Sequence, residues 1–124
     1  MPREPIARDL MVFLAEHVGS VHRLEALLFL RDQADRAFTE DELAGELRSS
    51  RESAREALRA LEASGLLHME GGGRARYRPK RPQLADLVER LKATYQVRPV
   101  SVVEAIFSAP SRAIRSFADA FKLK

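Results

Sequence analysis

The stretch between Thr39 and Gly65 constrains the fold of this chain more than any other, because it marks where two short helices begin and end. Thr39 and Glu42 are spaced as a capping box, in which a threonine hydroxyl and a glutamate carboxylate each accept a hydrogen bond from a backbone amide at a helix start. A second box, from Ser49 to Glu52, predicts the start of another helix just after the first one stops. Gly65 then stands where a left-handed C-terminal cap is least costly. The sequence therefore predicts two short helices joined by a tight turn.

A β-hairpin is predicted directly after this pair of helices. Residues 66–70 form the first strand, the three glycines at 71–73 form a turn that tolerates positive φ, and residues 74–78 form the second strand. In the second strand Ala75 and Tyr77 alternate with arginines, which predicts that this pair faces the protein. The arginines of the other face, expected to lie in solvent, are Arg74, Arg76 and Arg78.

Further helices are predicted on both sides of this unit. Apolar residues at helical spacing indicate a first helix over residues 5–18 and a second, more buried helix that runs to about residue 36. After the hairpin, a longer helix is followed by two short ones. The residues expected to start or stop these helices are Gly19, Ser20, Pro82, Pro99, Ser101 and Pro110.

Charge is distributed unevenly along the chain. The 124 residues carry a net charge of +3, and their 45% hydrophobic and 31% charged content is typical of one globular domain. Residues 74–81 hold five basic residues and no acid, whereas residues 35–46 hold five acids and one arginine. This asymmetry indicates an anionic partner that faces one part of the molecule.

Neither a membrane span nor a secretory segment is expected. The longest apolar run, residues 26–30, is far too short to cross a bilayer, and the first nine residues lack an apolar stretch of signal-peptide type. The chain also has no cysteine, which excludes disulfides and thiolate metal sites. We therefore expect a soluble, cytoplasmic protein that does not bind membranes.

The capped helix pair and the glycine turn together resemble the winged helix-turn-helix domain of bacterial transcription regulators. The motifs that carry this resemblance are Thr39-x-x-Glu42-Leu43-Ala44, Ala54-x-x-x-Leu58-x-x-Leu61-Glu62-x-x-Gly65-Leu66, and the closing Arg-x-Arg-Tyr at Arg74 to Tyr77. With helices before and after the domain, the layout looks most like the MarR-type and related dimeric regulators. The implied fold is mainly α, with a three-helix core, a β-hairpin wing and additional N- and C-terminal helices.

The same resemblance implies a division of the chain and a homodimer. Residues 1–19 would be an N-terminal helix and a dimer element, residues 20–81 the winged helix-turn-helix domain, and residues 82–124 helices for packing or dimerisation. We call the basic hairpin, residues 66–81, the wing.

Double-stranded DNA is the partner that the resemblance implies, because the second helix of such a motif reads the major groove while a basic wing contacts the backbone or the minor groove. The residues expected to contact DNA are Ser50, Arg51, Ser53, Arg55 and Arg59 on the helix and Arg74, Arg76, Arg78, Lys80 and Arg81 on the wing. An alternative stays open for the helix, since Glu52 lies three residues before Arg55 and Glu56 three before Arg59. Such pairs would make the same face a salt-bridged, solvated surface.

Enzymatic, metal and cofactor sites are not expected. The three histidines, His17, His22 and His68, do not stand at metal-site spacing. The sequence also lacks a nucleophile beside a base, and the three glycines of the turn lack the strand-to-helix context of a phosphate-binding loop.

The apolar residues of the C-terminal helices admit several roles. Leu84, Leu87, Val88, Leu91 and Tyr95 form one stripe, and the tail adds Ile106, Phe107, Ile114, Phe117 and Phe121. These side chains complete the core of one chain, form a dimer interface, or dock on another protein, which would make the molecule an interaction module. Membrane-surface binding of the helix that bears Phe117 and Phe121 is a minor option.

Overall fold

The computed structural model of the protein describes residues 6–108. This part of the chain holds six α-helices, a turn of π-helix and a three-stranded antiparallel sheet. In chain order the elements are α1 (Arg8–Phe13), the π-helical turn (Leu14–Val18), α2 (Val21–Asp32), β1 (Ala37–Phe38), α3 (Glu40–Leu47), α4 (Arg51–Ala63), β2 (Leu67–Glu70), a 3-10 turn (Gly71–Gly73), β3 (Arg74–Tyr77), α5 (Pro82–Val97) and α6 (Pro99–Ser108). The helix predicted to begin near Pro110 lies outside the described residues.

The first helix ends as predicted at Gly19, whose φ of +80° is costly for a residue with a side chain. Its amide donates to the carbonyl of Leu14 at 2.7 Å, closing the π-helical turn. Ser20 caps α2 by accepting a hydrogen bond from the amide of Arg23 at 3.1 Å. The prediction that α2 reaches residue 36 is wrong, because the chain turns after Asp32 and pairs Ala37–Phe38 with β3.

Local capping builds the α3–α4 pair. The capping box is confirmed: Thr39 Oγ1 accepts from the Glu42 amide at 3.1 Å, and Glu42 Oε1 accepts from the Thr39 amide at 2.9 Å. The sequence predicts the second cap one residue too early. Ser50 rather than Ser49 caps α4, accepting from the Ser53 amide at 3.0 Å. Arg48, two residues before Ser50, adopts the left-handed conformation at the end of α3, so the new helix starts later than predicted.

The sheet has the strand order β1-β3-β2, and its β2–β3 hairpin is the predicted wing. Leu67 lies opposite Tyr77 and Glu70 opposite Arg74, while Gly72 and Gly73 take positive φ in the turn. The predicted alternation is confirmed on the inner face, where Ala75 is fully buried. The short strand β1, which the sequence did not predict, continues the sheet on the other side of β3.

One core joins all six helices. Phe13, Phe38, Leu61 and Leu91 are among its fully buried side chains, so α1 and α5 share a core with the helix-turn-helix unit. Much of the apolar stripe of α5 is buried there, which agrees with a role in the core of one chain. Three apolar side chains of α5 and α6 stay exposed, namely Val97 (79%), Val100 (59%) and Phe107 (78%). The predicted apolar residues Ile114, Phe117 and Phe121 lie outside the described residues.

Ion pairs link α1 and α2 to α5. Arg90 binds Asp9 at 2.6 Å and Arg31 binds Glu89 at 2.6 Å. Each arginine donates hydrogen bonds that hold the pKa of its carboxylate partner below the ordinary value. No helix within residues 6–108 is both long enough and apolar enough to cross a membrane.

These pairs predict a loss of stability in acid. The folded-state pKa of Glu89 lies below the ordinary 4.5, so the folded protein binds fewer protons than the unfolded chain there. The stabilisation is present above that value and is lost as the pH falls through the folded-state pKa. We expect the thermal midpoint to decline between about pH 5 and about pH 3. The decline should be shallower in Glu89→Gln, and superimposable pH profiles of the two proteins would contradict the assignment.

Candidate nucleic-acid interface

Helix α4 presents one face to solvent because its other face is core. Ala54, Ala57 and Leu61 are fully buried and Leu58 nearly so. Of the residues predicted to contact DNA, Ser50, Arg51, Ser53 and Arg59 are exposed and Arg55 is half-buried. The two serines also serve the helix start, since the Ser50 hydroxyl donates to Ser53 Oγ at 3.0 Å.

Arg51 and Arg55 of α4 share one carboxylate, that of Glu40 at the start of α3. Arg55 Nε lies 3.2 Å from both carboxylate oxygens, and Arg51 Nε lies 3.4 Å from one of them. Partial burial raises the pKa of Glu40, but the hydrogen bonds and charges of the two arginines outweigh it and lower the pKa overall. The carboxylate is therefore held ionised between the two guanidiniums.

The predicted ion pairs within α4 are wrong in their partners. Glu56 binds Arg23 of α2, with Arg23 Nε donating to Glu56 Oε1 at 3.1 Å, and Arg55 turns to Glu40 instead of Glu52. Neighbouring helices bring these charges closer than the spacing along α4 does. Within residues 6–108, Arg59 forms no ion pair.

Although residues 74–81 hold no acid, two arginines of the wing have acidic partners in the folded chain. Arg76 binds Glu70 at 2.6 Å and donates to the carbonyl of Ala34, while Arg74 binds Glu42 at 2.9 Å. The hydrogen bond from Arg76 lowers the pKa of Glu70 and raises that of Arg76. Arg74 and Arg78 are exposed, as predicted, and Arg76 is half-buried, but the expectation that no acid neutralises this row is wrong for Arg74 and Arg76, because the folded chain supplies an acid to each.

Unpaired positive charge gathers where the wing leaves the sheet. Arg78, Lys80 and Arg81 are exposed and form no ion pair with another residue of the described range. The amides of Arg78 and Lys80 donate to the carbonyls of Leu66 and Gly65 at 3.0 and 2.8 Å. We call residues 78–81 the wing-base segment; these two bonds hold it against the end of α4.

Sequence reasoning missed the acids that organise this surface. The sequence indicates only a helix-start role for Glu40 and Glu42, and their arginine partners lie 6 to 32 residues away. Glu70 could have been found, since it lies across the hairpin from Arg74.

A cavity of about 600 Å³ opens between α4, the π-helical turn and the start of α2. His17 Nδ1 lies 3.1 Å from Ser64 Oγ at its wall, and the Arg23–Glu56 pair forms part of its lining. No group of three or more histidine, acidic or cysteine side chains within residues 6–108 is arranged to hold a metal ion.

No protein-family model and no curated protein matches this chain. Its fold is similar to the solution NMR structure of a homodimeric winged helix-turn-helix DNA-binding domain from Mycobacterium bovis, part of a possible ArsR-family transcriptional regulator. The TM-score is 0.54 at 19% sequence identity, and the match covers 79% of this chain and 93% of the other. Together with the capped helix pair and the β2–β3 hairpin, this likeness shows that the chain has a mainly α-helical, winged helix-turn-helix fold with additional helices on both sides.

Proposed function

We propose that the protein binds duplex DNA and regulates transcription in the cytoplasm. The observation that carries this proposal is the unpaired positive charge of Arg59, Arg78, Lys80 and Arg81, set on the second helix of a helix-turn-helix and on the adjoining wing-base segment. Phosphate neutralisation by such side chains supplies most of the affinity of a protein for DNA. The M. bovis neighbour, a DNA-binding domain, supports the same reading.

In the proposed complex, α4 enters the major groove and the wing-base segment lies along the backbone or the adjacent minor groove. Arg51, Ser53 and Arg55 would contact base edges, with Ser50 and Arg59 nearer the phosphates. Arg74 and Arg76 would join them only by exchanging Glu42 and Glu70 for phosphate. Each such exchange costs an existing ion pair, so the wing-base segment is the stronger contact.

We further propose that the protein is a homodimer. Val97 at the end of α5, Val100 and Phe107 on α6, and Met11 and Val12 on α1 are exposed. A second copy covering these helices would bury these apolar side chains and present two copies of α4 to two half-sites. The neighbour is homodimeric. In this proposal residues 1–19 and 82–124 supply the dimer elements around the DNA-binding part, residues 20–81.

Membership of the MarR-type group stays a prediction, as does docking of another protein on the C-terminal helices.

Selection of random duplex fragments by the purified protein at two salt concentrations tests both proposals. We expect enrichment of a palindromic site whose half-sites lie about one helical turn apart and which is still recovered at the higher salt. A mock selection without protein is the control. Recovery of fragments no better than in the mock selection at low salt would overturn DNA binding, whereas an enriched site without twofold symmetry would overturn the dimer.

A further inference from the structure

The start of α3 is an acidic surface that engages arginines from three other parts of the fold. Glu40 binds Arg51 and Arg55 of α4, and Asp41 adds a contact of 3.3 Å to Arg51. Glu42 binds Arg74 of the wing at 2.9 Å and Arg36, in the turn before β1, at 3.6 Å. Acids at a helix N-terminus are favourable for the helix, but three of them beside a DNA-reading surface repel phosphate.

Glu40 differs from its neighbours because it contacts two arginines of the reading helix at once. Both contacts use the Nε atom of the arginine. An arginine reads guanine through two parallel N–H bonds to O6 and N7. With Nε engaged by Glu40, the terminal nitrogens of Arg51 and Arg55 stay available for such a pair of bonds. Glu40 is 29% exposed, whereas Arg51 and Arg55 are 63% and 41% exposed, so the carboxylate lies behind the guanidiniums that it holds.

We propose that Glu40 is a positioning residue that sets the sequence selectivity of DNA binding. It orients Arg51 and Arg55 so that their terminal nitrogens meet base edges, and its negative charge makes it costly for either arginine to turn to a phosphate. Contacts with the backbone of arbitrary DNA are thereby weakened more than contacts with the correct bases. This inference rests on the proposed function. The charge pattern of the sequence assigns selectivity to the arginines alone, whereas here the acid Glu40 contributes to it.

Glu40→Gln and the matched variant Glu46→Gln test the inference. Glu46 lies on the same helix, is exposed, and forms no ion pair within the described residues, so both variants raise the net charge equally. Binding of each variant to the selected site and to a mixed-sequence duplex is measured by fluorescence anisotropy across a salt series. At about 0.1 M salt, one added phosphate contact tightens binding about eightfold and steepens the salt slope by about 0.9.

We expect Glu40→Gln to bind mixed-sequence DNA several-fold more tightly, with a steeper salt slope, and to lose several-fold in the ratio of selected to mixed-sequence affinity. Glu46→Gln should leave that ratio unchanged. The gain on mixed-sequence DNA should vanish when Arg51→Ala and Arg55→Ala are added, because the released guanidiniums are then absent. Glu40→Asp, which keeps the charge but shortens its reach, should lower the ratio without the steeper slope, and it serves as the second variant if Glu40→Gln folds poorly.

Equal ratios for Glu40→Gln, Glu46→Gln and the parent would overturn the positioning role while leaving DNA binding in place. Failure of the parent itself to bind any duplex would instead overturn the proposed function, and the positioning role with it.

Discussion

Replacement of Arg78, Lys80 and Arg81 together by alanine is expected to weaken binding to duplex DNA by two to three orders of magnitude at about 0.1 M salt. Each of these cations is exposed and forms no ion pair within the described residues, although Arg78 interacts electrostatically with Glu70, so no ion pair is broken when they meet phosphates. Three lost phosphate contacts, at about eightfold each, account for the size of the loss. The loss should be similar for the selected site and for mixed-sequence DNA, since phosphates carry no sequence information.

Fluorescence anisotropy titrations at several salt concentrations measure this effect, and the salt slope should become shallower by about 2.7. The matched control lies on the same wing. Arg74→Ala with Arg76→Ala removes two charges that Glu42 and Glu70 already balance, so this double variant should lose less than about tenfold. A larger loss for the double variant than for the triple variant would place the contact at the strand rather than at the wing-base segment.

Phe38→Ala is expected to destabilise the fold by about 3 to 5 kcal/mol, in the range of other buried phenylalanine truncations. The Phe38 side chain is fully buried, packs edge-on against Phe29 with ring centroids 5.1 Å apart, and lies under the guanidinium of Arg36. It also immediately precedes the capping box of α3, with Leu43 buried at the matching position inside the helix. The cavity left by alanine would therefore loosen the start of α3, where Glu40 and Glu42 make their ion pairs.

Urea unfolding followed by circular dichroism measures this cost as a lower midpoint at an unchanged slope. Met69→Ala is the control, because Met69 is 44% exposed on β2 and its truncation should change the free energy of unfolding by less than about 0.5 kcal/mol. Equal midpoints for Phe38→Ala and the parent would show that Phe38 does not anchor the start of α3.

Features set by neighbours along the chain could be predicted from the sequence. The Thr39–Glu42 box, the end of the π-helical turn at Gly19 and the glycine turn of the wing each depend on interactions within a few residues, and all three are present. The end of α2 could not be predicted in the same way. It depends on pairing between Phe38 and Ala75, which lie far apart in the sequence.

The positions of the candidate residues on α4 and the wing could be predicted from the sequence, but their ion-pair partners could not. Arg55 and Glu40 meet because α3 and α4 pack side by side, and Arg23 meets Glu56 across 33 residues of sequence. A count of charges along the chain cannot anticipate such partners. Arg74 and Arg76 of β3 therefore have acidic partners that the charge pattern does not predict. The wing-base segment accordingly supplies more of the proposed contact with DNA than the sequence indicates.

The two hydrogen bonds from the amides of Arg78 and Lys80 to the carbonyls of Leu66 and Gly65 have a geometric consequence. They join the cationic segment to the last residues after α4, so the distance between the helix and that segment is fixed before any DNA arrives. In the proposed complex, a duplex could contact α4 and the wing-base segment at once only if the distance between its major groove and its phosphate backbone matched this spacing. This fixed spacing would then make binding depend on the width of the DNA groove as well as on the bases.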